Sequence, residues 1–139
     1  MRKSATVIAA FGVALFLTGG PQAAKAQAPD QAEGSPTLGV GVICNTSEQA
    51  EHFVNLRNKG TQAKQAMDAI NAQEHDPGAC GVVAVAFTRD KTVNMRTMGD
   101  KLIQIVRINV LAGYNGSAWQ RVSGLMIQYA VMEGEGETI

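Results

Sequence analysis

Two cysteines bracket a helical stretch between two strand patterns, and this pair constrains the fold more than any other feature. Cys44 ends the strand pattern of residues 38–44, and Cys80 directly precedes the apolar, β-branched run of residues 82–87. A disulfide between them would close a loop of about 37 residues and stabilise the fold by roughly 4 kcal/mol through loop-closure entropy. Free thiols, a redox pair and a metal site are the alternatives, although the chain has no Cys-x-x-Cys motif.

The first 26 residues have the pattern of a cleaved secretory signal. Arg2 and Lys3 precede an uncharged apolar run over residues 7–17, which suits a signal peptide and is shorter than the ~20 residues that span a bilayer. We expect cleavage after Ala26; a buried N-terminal helix or a membrane anchor is the alternative. The sequence therefore predicts a periplasmic or secreted protein with no stable membrane anchor after cleavage, in an oxidising compartment that favours the disulfide.

Length and charge limit the number of domains and the class of partner. The chain has 139 residues with 12 Lys+Arg and 12 Asp+Glu, and this length suits about one domain. Cleavage would remove Arg2, Lys3 and Lys25 but no acid, so the mature protein is mildly acidic and no run of its sequence offers a basic patch. We therefore expect no nucleic-acid partner. We predict a disordered leader over residues 27–37, one domain over 38–132 and an acidic flexible tail over 133–139.

Periodicity predicts an α+β fold with an antiparallel sheet of about five strands and two short helices inserted after the first strand. Thr46 and Gln49 fit a capping box for the first helix, Gly60 fits its end, and Thr61 fits the cap of the second helix. After the second helix, strand patterns follow over residues 82–87, 92–98, 102–111 and 118–131. Predicted turns at residues 89–91, 99–100 and 113–116 separate them. Curling of this sheet into a small partial barrel is an open alternative.

Arg107 and Trp119 are the candidate ligand-binding residues. Arg107 lies in the middle of the strongest strand pattern, on the same face as Ile103 and Ile105. An arginine in a concave sheet face would anchor a carboxylate or a phosphate, whereas an outward arginine would cover apolar neighbours with its stem. Trp119 is the only tryptophan; it follows the turn at 113–116, where it would either cap the core or contribute a rim contact.

No catalytic residue, metal site or cofactor motif emerges from the sequence. His52 follows Glu48 by about one helical turn, and Glu74, His75 and Asp76 form a polar cluster; solvated side chains are the simpler interpretation of both groups. The chain has no Gly-x-Ser-x-Gly frame and no phosphate-binding glycine loop. We therefore favour a non-enzymatic binding or interaction module for an unknown protein or a small anionic ligand. A small periplasmic hydrolase or metal-dependent enzyme using His52 and His75 with nearby carboxylates, and an envelope accessory protein held through strand edges, are the alternatives.

Several segments together carry a family resemblance. Behind the export signal, the segments are Val-Ile-Cys-Asn-Thr-Ser-Glu-Gln (42–49), Ala-Cys-Gly (79–81), Ile-Gln-Ile-Val-Arg-Ile-Asn-Val (103–110) and the stretch from 119 to 129. In these the chain resembles small exported alphaproteobacterial proteins of unknown function. The resemblance covers most of the mature chain and consists of a cysteine framework and a strand pattern. It implies a fold and a location, and it carries no catalytic residue onto this sequence.

Overall fold

A computed structural model describes residues 34–134 and the backbone of residues 137–138. The predicted signal peptide (1–26), most of the predicted leader and the side chains at the end of the predicted tail lie outside the described residues. The fold is α+β, and two helices follow the first strand, as predicted. In chain order the elements are β1 (Pro36–Cys44), α1 (Ser47–Asn58), α2 (Ala63–Glu74), β2 (Cys80–Met98), β3 (Lys101–Tyr114), β4 (Trp119–Arg121), β5 (Ile127–Glu133) and β6 (Glu137–Thr138).

The strands form one antiparallel sheet that curls into a partial ring. Its order is β4-β3-β2-β1-β5-β6, and β3 also pairs with β5. The β3–β5 pairing is long, from Ile103 opposite Glu133 to Asn109 opposite Ile127. β1 meets β5 only at Ile43 and Cys44. The antiparallel sheet of about five strands predicted from sequence is therefore confirmed, with the two-residue β6 as an addition.

The largest departure from the sequence prediction is in β2, which runs as one strand through the predicted turn at residues 89–91. The register with β3 shifts there: Arg89 lies opposite Ile108, and Lys91 lies opposite Arg107. Asp90 between them is the extra residue of a β-bulge. Because a bulge bends a strand without ending its pairing, polar residues that resemble a turn in the sequence contribute here to the curl of the sheet.

Three smaller differences concern element ends. β1 begins at Pro36 and so includes the last two residues of the predicted leader. The N-cap of α2 is Gln62, without a side-chain cap hydrogen bond, and not Thr61. The strand predicted over residues 118–131 is divided into β4 and β5, and Gly124 lies in the connection between them with φ +87°. There it supplies the positive φ that side chains other than glycine rarely adopt.

The two faces of the curled sheet carry two separate cores. On one face, Val42, Ile103, Ile105 and other strand residues pack against Phe53 and Val54 of α1 and Ile70 of α2. The other face buries side chains from β1, β2, β3 and β5 against each other. This second core comprises Ile43, Val85, Phe87, Val106, Ile108, Val110, Ala130 and Met132. The alternation of side chains along β3 assigns neighbouring residues to opposite cores, as the sequence predicted.

A disulfide joins Cys44 to Cys80 at the point where the two helices leave and rejoin the sheet. The two residues are direct partners in the β1–β2 pairing, with Cα atoms 4.1 Å apart, and both are buried. Asn71 of α2 holds the same point: its Oδ1 accepts a hydrogen bond from Cys80 N (2.8 Å), and its Nδ2 donates to Cys80 O (3.0 Å). The predicted disulfide is confirmed, and it ties both ends of the helical stretch to the sheet.

Within the described residues, no helix has both the length and the apolar character needed to cross a membrane.

Candidate functional site

An open groove of about 460 Å³ lies beside the turn between β3 and β4. Buried residues of the second core form its floor, so the groove is an extension of the apolar inner face of the sheet. Asn45, Asn115, Gln120 and Gln128 contribute polar groups to its lining. The apolar side chains that line it are Ile43, Val83, Val85, Val110, Val122 and Met126.

Backbone hydrogen bonds fix the connection between β4 and β5 along one side of the groove. Val110 N donates to Met126 O (2.8 Å), and Val122 N donates to Leu111 O (2.8 Å). Asn109 adds a side-chain contact, because its Oδ1 accepts from Met126 N (3.3 Å). Both ends of this connection are therefore attached to β3, and Val122 and Met126 are held in the groove wall.

The β3–β4 turn places two aromatic rings beside the groove. Asn115 Oδ1 accepts hydrogen bonds from Ser117 N (2.9 Å) and Ala118 N (3.0 Å), and Gly116 has φ +102°. This local bonding explains why an Asn-Gly pair occupies the turn. The rings of Tyr114 and Trp119 then meet across it, with centroids 5.5 Å apart and planes tilted by 50°. Tyr114 itself lines the groove.

Of the described residues that line the groove, Arg121 is the only charged one. Its side chain is exposed, and it makes no ion pair within the described part of the chain. A guanidinium in this position can donate two parallel hydrogen bonds to a carboxylate or a phosphate. Arg121 is not among the residues predicted from sequence to bind a ligand, although a signal is present: it is the only charged residue between Arg107 and Glu133.

Of the two residues predicted to bind a ligand, only Trp119 lies near the groove. The side chain of Arg107 lies on one face of β3, and the side chain of Val110 lies on the other. Arg107 Nη1 lies 3.2 Å from Asp90 Oδ2. Its Nε is buried and has no hydrogen-bond partner among the described residues. The carboxylate paired with Arg107 belongs to Asp90 in the β2 bulge, where the sequence predicts a turn. Ligand binding by Arg107 stays a prediction, and any such site would lie outside the groove.

A third arginine of the sheet, Arg89, lies on the same face as the second core and contacts only neutral acceptors. Its guanidinium donates to Gln104 Oε1 (3.0 Å), Thr92 Oγ1 (3.3 Å) and Met132 Sδ (3.3 Å). Gln104 in turn donates to the backbone carbonyl of Gly134, where the chain leaves β5. These hydrogen bonds link β2 to β3 and β5, so the guanidinium of Arg89 holds the strands together.

The two histidines lie on the helical side of the molecule. His52 is half-buried on α1, and His75 ends α2 with φ +56°. Asp76 next to it accepts hydrogen bonds from Gly78 N (2.8 Å) and Asn45 Nδ2 (3.2 Å), which shape the turn before β2. Among the described residues, no three His, Cys, Asp or Glu side chains are grouped so that they could hold a metal ion.

Comparison of the chain with protein-family models, with curated proteins and with solved structures gives no match.

Proposed function

We propose that this protein is a non-enzymatic binding module that holds a small anionic ligand with an apolar body in the groove beside the β3–β4 turn. One observation carries the proposal: within residues 34–134, the apolar groove has a single charged lining residue, and this arginine has no acidic partner there. The groove volume lies within the range of about 300–1,000 Å³ that is usual for small-molecule sites.

The groove favours a ligand with two distinct parts. An apolar body would lie against Val83, Val110 and Val122, and each Å² of apolar surface removed from water contributes about 25 cal/mol. An anionic head would meet the guanidinium of Arg121, and the carboxamides of Gln120 and Gln128 are available for further hydrogen bonds. A cationic head would face Arg121 with no carboxylate in the lining to offset the repulsion. The proposed ligand is therefore an amphipathic anion and not an amphipathic cation.

We also propose that the protein acts in the periplasm or outside the cell, and that its relatives are the small exported proteins it resembles. The N-terminal signal pattern and the disulfide between Cys44 and Cys80 support this location. Mass spectrometry of the protein from the exporting host is expected to find Gln27 as the first residue in the periplasmic fraction. Recovery from the cytosol with residues 1–26 attached would contradict the proposal.

Calorimetric titration tests the groove with three probes of the same length: decanoate, decanol and decylammonium. We expect the mature chain to bind decanoate more tightly than decanol, and to bind decylammonium weakest. Replacing Arg121 with Gln should weaken decanoate binding about tenfold, because a hydrogen bond to a charged group is worth ~1.5–3 kcal/mol, and should leave decanol binding unchanged.

Arg96→Gln is the matched control, because Arg96 contacts Asn55 of α1 and is not part of the groove lining. This variant should bind all three probes as the unsubstituted protein does. Absence of decanoate binding, or equal losses for Arg121→Gln and Arg96→Gln, would overturn the proposal.

A further inference from the structure

Four large apolar side chains are exposed in or beside the two connections that contribute to the groove lining, and we call this set the rim. It consists of Tyr114, Trp119, Leu125 and Met126, with exposed fractions of 42%, 47%, 76% and 41%. The four belong to two neighbouring connections, since Tyr114 and Trp119 flank the β3–β4 turn and the other two lie between β4 and β5. Exposed apolar groups that gather in one place indicate a contact surface, whereas isolated ones do not.

The rim is a connected surface. Tyr114 and Met126 both line the groove, and Trp119 extends this surface through its contact with the Tyr114 ring. Leu125 directly precedes Met126, whose backbone is bonded to Asn109 and Val110 of β3. The apolar side chains are therefore presented by loops that are anchored to the sheet.

The charge around the rim is unusual for a chain that is mildly acidic after cleavage. Residues 108–132 contain no acid, and their single charged residue is Arg121. Along the sequence, the residues that separate the apolar side chains include uncharged polar ones: Asn115, Ser117, Gln120 and Ser123. Tryptophan and tyrosine favour the interface between lipid headgroups and hydrocarbon, where one part of the ring is apolar and the other meets water. A cation beside them is attracted to a surface that carries anionic lipid.

We infer that the rim docks on the surface of an anionic phospholipid bilayer, with Trp119 and Leu125 inserted at the headgroup level and Arg121 facing the lipid phosphates. The contact is peripheral and reversible, because it uses a few loop side chains and no long apolar segment. Charge opposes a second copy of this chain as the occupant: a two-fold contact through the rim would bring two Arg121 side chains together with no acid in residues 108–132 to pair with them. The inference goes beyond the proposed ligand site and does not require that the groove be filled.

Because Trp119 is the only tryptophan, its fluorescence reports on the rim alone. The experiment titrates the mature chain with vesicles of phosphatidylcholine, and with vesicles of equal parts phosphatidylcholine and phosphatidylglycerol. We expect a blue shift of the emission, protection from an aqueous quencher and co-sedimentation, all stronger with the anionic vesicles. Leu125→Ser should weaken vesicle binding about tenfold, because it removes the most exposed apolar side chain of the rim.

Leu38→Ser is the matched control, since Leu38 on β1 is 69% exposed and lies outside the rim and the groove lining. It should bind anionic vesicles as the unsubstituted protein does. The inference is overturned if the unsubstituted protein does not bind anionic vesicles, if it binds both vesicle types equally, or if the two serine variants lose binding equally.

Without vesicles, a blue shift that depends on protein concentration, together with a dimer in sedimentation analysis, would assign the rim to a second copy and would also overturn the inference. Failure of decanoate binding with vesicle binding intact would reject the ligand proposal alone.

Discussion

Three of the four arginines in the described strands have different surroundings, and these decide what each can do. Arg89 is held by three neutral acceptors, and Arg107 is paired with Asp90. Arg121 stands in the groove lining without an ion pair among the described residues. Among the described residues, only the last of these three has a charge that is both accessible and unpaired, so the proposed anion site is at Arg121 and not at Arg107.

We expect Arg107→Gln to leave decanoate affinity unchanged. Arg107 points to the face of β3 opposite the groove wall, and its partly exposed pair with Asp90 is worth roughly 0–1 kcal/mol. Calorimetric titration beside Arg121→Gln makes the comparison direct. A loss of affinity in Arg107→Gln that matches the loss in Arg121→Gln would transfer the anion site to the residue predicted from sequence.

Arg89→Ala should lower the free energy of unfolding by about 1–3 kcal/mol. The substitution removes three hydrogen bonds from a charged donor, and it leaves Oε1 of the buried Gln104 with Thr92 Oγ1 as its remaining donor. Urea denaturation followed by circular dichroism measures the change, and Lys64→Ala on the exposed face of α2 is a neutral control. If the two variants were equally stable, the contacts of Arg89 would contribute nothing to the fold.

At the scale of single elements, the capping box of α1 shows what local sequence can predict. Thr46 Oγ1 accepts from Gln49 N (3.2 Å), and Gln49 Oε1 accepts from Thr46 N (3.2 Å) and from Asn45 N (3.1 Å). Every partner lies within four residues, so the Thr-x-x-Gln pattern was enough to locate the start of the helix. The two-residue turn at Gly99, which has φ +69°, was found for the same reason.

Thr46→Ala should cost about 1 kcal/mol of stability, because it removes the side-chain acceptor from the first turn of α1. Ser47→Ala is the control, since Ser47 is the first residue of the helix and not its cap. The midpoint of thermal unfolding, measured for both variants, should fall clearly only for Thr46→Ala. Equal midpoints would mean that the capping box is not needed to start this helix.

Two features that depend on distant partners, the β2 bulge and the groove, were not predicted. The β2 bulge at Asp90 exists because β3 continues to pair on both sides of it, and the polar residues 89–91 carry no local sign of that pairing. The groove likewise combines β1, β2, β3 and both later connections. Trp119 follows the predicted turn, but it is 47% exposed and does not cap the core. The place of Arg121 depends on the curl of the sheet.

At the scale of the whole molecule, the disulfide links the helices to the sheet. The double variant Cys44→Ser with Cys80→Ser should lose roughly 4 kcal/mol of stability, since the unfolded chain regains the freedom of a loop of about 37 residues. Urea denaturation under oxidising and reducing conditions gives the loss, which should vanish when the unsubstituted protein is also reduced. A double variant as stable as the oxidised protein would contradict this role for the disulfide.

The central claim is that the groove beside the β3–β4 turn holds an amphipathic anion. Backbone amide chemical shifts during titration of the ¹⁵N-labelled mature chain with decanoate test it most directly. We predict saturable shifts at Val83, Val85, Gly113 and Val122, with the amides of α2 unchanged. Shifts confined to the helices, or an absence of shifts at these four amides under saturating decanoate, would contradict the claim.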